Sequence, residues 1–328
     1  MPALQPDSRV FVAGHRGLVG SAVVRRLERD GVALVTRTRA ELDLRDAQAV
    51  ATFFEFEQPT HLVLAAAKVG GILANRDYPV DFLSENLAIQ QSVLMGAHLA
   101  RIGKLGRIVF LGSSCIYPRE APQPMREEHL LTGPLEPTNR PYALAKIAGI
   151  ELAEALHRQY GDDVISLMPT NLYGPGDNFD LATSHVLPAL IRRFHEARRG
   201  AGPAAPVTLW GTGSPKREFL HADDLADAVA FVLALDEPSL RDTAPDGLLN
   251  VGVGEDLAIR DLAAHVREVV GSDSEIRWDT DKPDGTPRKL LDVSRLASLG
   301  WRARTPLREG LASTYDWFRE NVATVPQG

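Results

Sequence analysis

Three glycines near the start constrain this chain more than any other feature. Gly14, Gly17 and Gly20 follow a short apolar run, Val10 to Ala13. They lead into Leu18 to Arg29, where Val19, Val23 and Leu27 recur at helical spacing. Strand, glycine turn and helix open a βαβ unit. The full turn is Gly14-His15-Arg16-Gly17-Leu18-Val19-Gly20, a GxxGxxG. Glycine lets such a turn tighten and lets backbone N–H groups approach a pyrophosphate, at which the helix points its positive end. Directly after a strand, the motif points to dinucleotide binding.

The alternation continues. Strands are expected at Val32 to Thr36, His61 to Ala67, Arg107 to Gly112 and Val164 to Met168. Helices are expected at Ala47 to Phe56, Asp81 to Ile102 and Tyr142 to Tyr160. This predicts an α/β fold, a Rossmann-type doubly wound parallel sheet. After Tyr173 the pattern changes, with breakers at Gly174-Pro175-Gly176 and Gly200 to Pro206. Helices follow at Ser184 to Arg199, Asp224 to Leu235 and Ile259 to Val270, and strands at Val207 to Trp210, Leu249 to Val251 and Ile276 to Trp278. Thr305 reads as the N-cap, and Pro306 as the first residue, of a last helix reaching about Asn321. Residues 1–173 are therefore expected to form the cofactor domain. Residues 174–328 are expected to form mainly a smaller mixed α/β substrate domain, with some later elements returning to the first.

Composition narrows the class. Asp and Glu total 43 against 36 Lys and Arg, a net charge of −7, so the chain lacks the field of a general nucleic-acid binder. Its single cysteine, Cys115, excludes an intrachain disulfide. Met1 to Arg9 has no apolar leader run, and no window of about 18 apolar residues is long enough to span a membrane. These features predict a soluble, cytoplasmic protein. The lone cysteine and scattered histidines lack ligand spacing, so no metal is expected.

NAD sites usually carry Asp or Glu at the end of the second strand, to accept from the ribose 2′-OH. Here that stretch reads Val35-Thr36-Arg37-Thr38-Arg39, with no carboxylate before Glu41. Arg39 or Arg37, with Arg16, could instead hold a 2′-phosphate, because the guanidinium fork binds phosphate bidentately. NADP(H) is expected over NAD(H).

A second constellation joins Ser113, Tyr142 and Lys146. Tyr142 and Lys146 sit four residues apart on one face of an expected helix. An ammonium beside a phenol should favour the phenolate and lower its pKa. Ser113 lies just past a strand, where open sheets place their ligands.

With these motifs the chain resembles the extended short-chain dehydrogenase/reductase superfamily along nearly its whole length. Asn171-Leu172-Tyr173-Gly174-Pro175-Gly176 and Arg217 to Asp224 add to the likeness. GHRGLVG at 14–20, AAAKVGG at 65–71, LGSSCIYP at 111–118, EPTN at 136–139 and KPDGTPRKLL at 282–291 are more specific. They are similar to the GDP-L-fucose synthase family. That resemblance implies two reactions in one site, acting on GDP-4-keto-6-deoxy-D-mannose. C3 and C5 are epimerised through an enolate, and NADPH then reduces C4 while Tyr142 protonates the oxygen. It implies Cys115 and His185 as the acid/base pair. Cofactor contacts are implied for Asp43 and Leu44, for Leu111, Gly112, Ser113 and Ser114, for Pro169, Thr170, Asn171 and Leu172, and for His185. The GDP-sugar contacts implied are Arg193, Trp210, Arg217 and Asp284. Members of the family are homodimers. Another nucleotide-sugar 4-reductase or 4-epimerase is the nearest alternative, and an NADP(H)-sensing protein is the non-enzymatic one.

Overall fold

The computed structural model describes residues 4–5, 7–198, 205–282 and 284–323. Residues 200–204 of the expected breaker run lie outside them. The first half runs β1 (Arg9–Ala13), α1 (Leu18–Arg29), β2 (Ala33–Val35), α2 (Ala47–Glu57), β3 (His61–Leu64), α3 (Ile72–Asp77), α4 (Pro79–Leu99), α5 (Ile102–Leu105), β4 (Ile108–Leu111), α6 (Arg140–Tyr160) and β5 (Val164–Pro169). Then follow β6 (Asn171–Tyr173), α7 (Val186–Arg198), β7 (Val207–Trp210), β8 (Lys216–Arg217), β9 (Phe219–His221), α8 (Ala222–Ala234), α9 (Glu237–Thr243) and β10 (Leu248–Val251). The chain closes with β11 (Leu257–Ala258), α10 (Ile259–Val270), β12 (Ile276–Asp279), β13 (Arg288–Lys289), α11 (Ser294–Ser298) and α12 (Leu307–Asn321).

Six strands form one parallel sheet in the order β10-β5-β4-β3-β1-β2. Its strands read as near-continuous apolar runs because helices cover both faces. Alternation along β1 sends Phe11 and Ala13 into a core with Phe54, Val93 and Ile147. Val10 and Val12 face the opposite core, with Val23, Leu27, Leu225 and Val229. A third core lies among α7, α10 and α12, where Leu190, Phe194, Leu262, Val266 and Phe318 pack together.

β10 comes late in sequence yet pairs with β5 in register Leu248↔Ser166, extending the sheet. The last helix differs from expectation by one residue. Thr305 donates its N–H to Asp224 Oδ2 at 3.0 Å, which holds it outside the helix. Pro306 becomes the cap residue, with extended backbone, and the helix begins at Leu307. No helix among the described residues is long and apolar enough to cross a membrane.

Candidate active site

The carboxyl ends of β1, β3, β4 and β5 open into one cavity of about 720 Å³. Ligands occupy this edge in open α/β sheets. The glycine turn forms one wall. Gly14 has φ +88°, and a Cβ there would lie 2.7 Å from the Ala66 backbone. A Cβ on Gly20 would lie 2.0 Å from Gly14 O. Only glycine fits this crossing of turn and helix. Gly17 caps α1 with no side-chain hydrogen bond, leaving the first N–H groups of the helix available to an anion. The wall thus fits a pyrophosphate.

Leu18 and Val19 line the cavity beside Gly14, Gly17 and Gly20. His15 and Arg16 do not line it. Arg37 faces the cavity but pairs with Glu57, stacks over Phe53 and donates to Thr36 O. Arg39 is 70% exposed, with its guanidinium 3.8 Å from the Glu85 carboxylate. Asp43 and Leu44 are lining residues. The Arg45 guanidinium grips the Asp43 carboxylate and lowers its pKa to about 2. Arg45 and Lys68 also reach Glu85, at 3.5 and 2.9 Å. Three cations, Arg39, Arg45 and Lys68, therefore surround one carboxylate at this end. Sequence reasoning missed Arg45 and Lys68. Arg45 stands two residues past Asp43, and Lys68 lies within the AAAKVGG run.

At the other end, Leu111 to Ser114 and Pro169 to Leu172 line the cavity with Tyr142, Lys146 and His185. Ser113 caps a short 3-10 turn, Ser114–Ile116. Its hydroxyl oxygen accepts from the Cys115 N–H at 3.4 Å and acts to lower the pKa of the Tyr142 phenol and the Cys115 thiol. Tyr142 packs edge-on against Phe82, with ring centroids 6.2 Å apart. Lys146 Nζ stands 5.9 Å from the Tyr142 ring centroid and donates to Leu111 O at 2.7 Å.

The expected lowering of the Tyr142 pKa is not found. Burial pushes this phenol up, and Lys146 does not offset it. Desolvation outweighs an ammonium that is itself committed to a carbonyl. Burial in turn lowers Lys146 to about 8. A phenol held protonated is a proton donor.

Cys115 is buried at 7% exposure and is not a lining residue, so it sits behind Ser113. His185 immediately precedes α7, at the end of a cross-braced loop. Asp180 Oδ1 accepts from the Ala182 and Thr183 N–H groups, and Asn178 Nδ2 donates to Thr183 Oγ1. Gly71 donates its N–H to Thr183 O at 3.0 Å, which ties this loop across the cavity. The His185 ring stays accessible from the cavity, while the surrounding protein pushes its pKa down.

A second hollow of about 160 Å³ lies between α7 and β7. Arg193, Trp210 and Trp278 line it. Arg192 turns away to Glu196, while Arg193 donates to Thr208 O at 3.0 Å. Trp210 is 57% exposed, with Lys282 Nζ 5.9 Å from its ring centroid. Arg217 and Asp284 line neither space. Asp284 spends both carboxylate oxygens on Thr212, at 2.9 and 2.7 Å, and a Cβ on Gly211 would lie 2.2 Å from its Oδ1. Arg217 lies beside this loop, its Nη2 3.1 Å from where a Gly285 Cβ would stand.

Sheet, glycine turn and Ser–Tyr–Lys cluster define a dinucleotide-binding protein of the short-chain dehydrogenase type. Residues 10–251 match the NAD dependent epimerase/dehydratase family. GDP-L-fucose synthase of Escherichia coli (strain K12) is 56% identical, over 95% of this chain and 97% of its own length. The structure of a GDP-6-OMe-4-keto-L-xylo-heptose reductase from C. jejuni superposes with a TM-score of 0.90 at 35% identity, covering 97% of this chain and 99% of that one. A GDP-L-fucose synthetase from Naegleria fowleri bound to NADP superposes with a TM-score of 0.82 at 26% identity, covering 98% and 97%. The chain belongs to the NAD dependent epimerase/dehydratase family and, within it, to the GDP-L-fucose synthases.

Proposed function

We propose that this protein converts GDP-4-keto-6-deoxy-D-mannose to GDP-L-fucose, by 3,5-epimerisation and NADPH-dependent reduction at C4. One observation carries the reading. A single cavity joins a glycine turn that fits a pyrophosphate to Ser113, Tyr142, Lys146 and His185. Bound NADPH supplies the hydride to C4. Gly14, Gly17 and Gly20 receive the pyrophosphate, and Arg39, Arg45 and Lys68 supply positive charge for a 2′-phosphate. Tyr142 gives its proton to the C4 oxygen, and Ser113 orients that oxygen by hydrogen bonding. Lys146 fixes α6 to the end of β4, and its ammonium stabilises the phenolate that remains on Tyr142.

Epimerisation removes protons from carbons next to the C4 carbonyl. Cys115 acts as base and His185 as acid from the opposite face. The enolate charge falls on the C4 oxygen, where the same Ser113 and Tyr142 donors stabilise it. Arg193 and Trp210 receive the nucleotide end, and Arg217 and Asp284 close the sugar side once the loops around them adjust. The buried position of Cys115, away from the lining, favours a second reading, a GDP-sugar 4-reductase without epimerisation.

Deuterium incorporation at C3 and C5 of the substrate, in D2O without NADPH, separates the two. Exchange lost in Cys115→Ser with NADPH binding intact supports the epimerase. Absence of exchange in the parent protein leaves only the reductase.

Two copies pair into a homodimer in this reading. The support is an exposed apolar set on the adjoining helices α4 and α6, where Val80, Leu87 and Leu144 face outward. A cytoplasmic setting suits the reading, because it keeps the Cys115 thiol reduced.

A further inference from the structure

Arg39, Arg45 and Lys68 reach the cavity from two separate segments, the first two after β2 and the third after β3. Three carboxylates face them, Asp43, Asp81 and Glu85. Together these six side chains carry no net charge. A 2′-phosphate carries roughly −1.5 to −2 near neutral pH. A balanced group of charges exerts little pull on such an anion.

The three carboxylates are not equivalent. Asp43 pairs with Arg45 at 2.6 Å, and Asp81 pairs with Lys68 at 2.8 Å. Glu85 reaches all three cations. Its Oε1 lies 2.9 Å from Lys68 Nζ, and its Oε2 lies 3.5 Å from Arg45 and 3.8 Å from Arg39. Glu85 also lines the cavity, which Asp81 does not.

Helix α4 fixes where this carboxylate stands. Asn86, the next residue, is buried and clamps the Lys68 backbone from both sides. Its Oδ1 accepts the Lys68 N–H at 2.9 Å, and its Nδ2 donates to Lys68 O at 3.0 Å. About two turns further along the helix, Ser92 Oγ donates to Leu44 O, beside Arg45. Both cation-bearing segments are thus tied to α4, and Glu85 projects between them with its side chain only 21% exposed.

We infer that Glu85 is a cofactor-discriminating residue, a built-in counter-ion that the 2′-phosphate of NADPH displaces from Arg39, Arg45 and Lys68. The inference rests on the reading that these three cations receive that phosphate. Displacement leaves a phosphate dianion beside a carboxylate, and the two repel. NADH carries a neutral hydroxyl at that position and meets no such repulsion. Glu85 therefore narrows the preference for NADPH over NADH. Neutralising it does not scatter the cations, because Asp43 still holds Arg45 and Asp81 still holds Lys68.

The test is a pair of fluorescence titrations, NADPH and NADH, into the cofactor-free protein at fixed ionic strength. Glu85→Gln keeps the side chain's shape and removes its charge. It should tighten NADPH binding about three- to tenfold and leave NADH within about twofold. Added salt should shrink the gain. Glu85→Ala should act in the same direction, and thermal melting verifies that each variant is folded. NADPH affinity that is unchanged or weaker in both variants overturns the inference, as does equal tightening of both cofactors. Arg45→Ala and Lys68→Ala are titrated alongside. If they weaken NADPH selectively while the Glu85 variants do nothing, the phosphate reading stands and the role of Glu85 falls. If they too leave NADPH unchanged, both fall.

Discussion

Lys146 Nζ donates to the carbonyl oxygen of Leu111 at 2.7 Å, joining the second turn of α6 to the last residue of β4. Ser113 follows β4 by two residues and Tyr142 precedes Lys146 by one helical turn. One hydrogen bond therefore sets the spacing between the two elements that carry the proposed reductive chemistry.

That bond commits a nearly fully buried lysine whose pKa burial lowers to about 8. In the unfolded chain the same group titrates near its ordinary value, about 10.4. Between these values the unfolded state binds the extra proton, so Lys146 makes stability rise with pH across this window. Below about 8 the full cost of burying the charge is present. The stability of the parent relative to Lys146→Met should therefore increase from pH 8 to pH 10, measured by denaturant unfolding. A flat difference contradicts the assignment. Turnover should fall over the same range as the ammonium is lost.

Tyr142→Phe removes the proposed proton donor and leaves the ring against Phe82. Loss of a general acid costs about 10²–10⁴-fold. Reduction should fall by that amount, followed as NADPH oxidation, while some exchange at C3 and C5 survives. An unchanged reduction rate removes Tyr142 from the acid role.

Arg39→Ala should weaken NADPH binding by about 10- to 150-fold, since a charge-assisted hydrogen bond is worth roughly 1.5–3 kcal/mol. NADH binding should stay the same, because it has no 2′-phosphate. Equal losses for both cofactors, in fluorescence titrations, dismiss the phosphate contact.

Gly20→Ala places a methyl 2.0 Å from Gly14 O, where no side chain can yield. The melting temperature should drop by several degrees and NADPH affinity should fall with it. A variant with parental melting and binding shows that the turn can open without cost.

Much of this architecture could be read in the sequence. The buried strands of a parallel sheet are continuous apolar runs, so β1, β3, β4 and β5 were legible within a few residues. The short strands β8, β11 and β13 carry no such signal, since pairing partners far along the chain determine them. In the site, Ser113, Tyr142, Lys146 and the glycines followed from spacing. Arg16 does not line the cavity in this structure, which the spacing of the turn could not show. The raised Tyr142 pKa was equally invisible, because desolvation depends on packing around the ring and spacing reports only proximity. Arg45 and Lys68 needed the fold, which gathers them around Glu85 from three separate segments.

The most direct test of the account is product analysis. Purified protein, GDP-4-keto-6-deoxy-D-mannose and NADPH are mixed, and the sugar is identified by NMR. The account predicts GDP-L-fucose, inverted at C3 and C5, with one NADPH oxidised per molecule formed. A product reduced at C4 with both centres retained would contradict it.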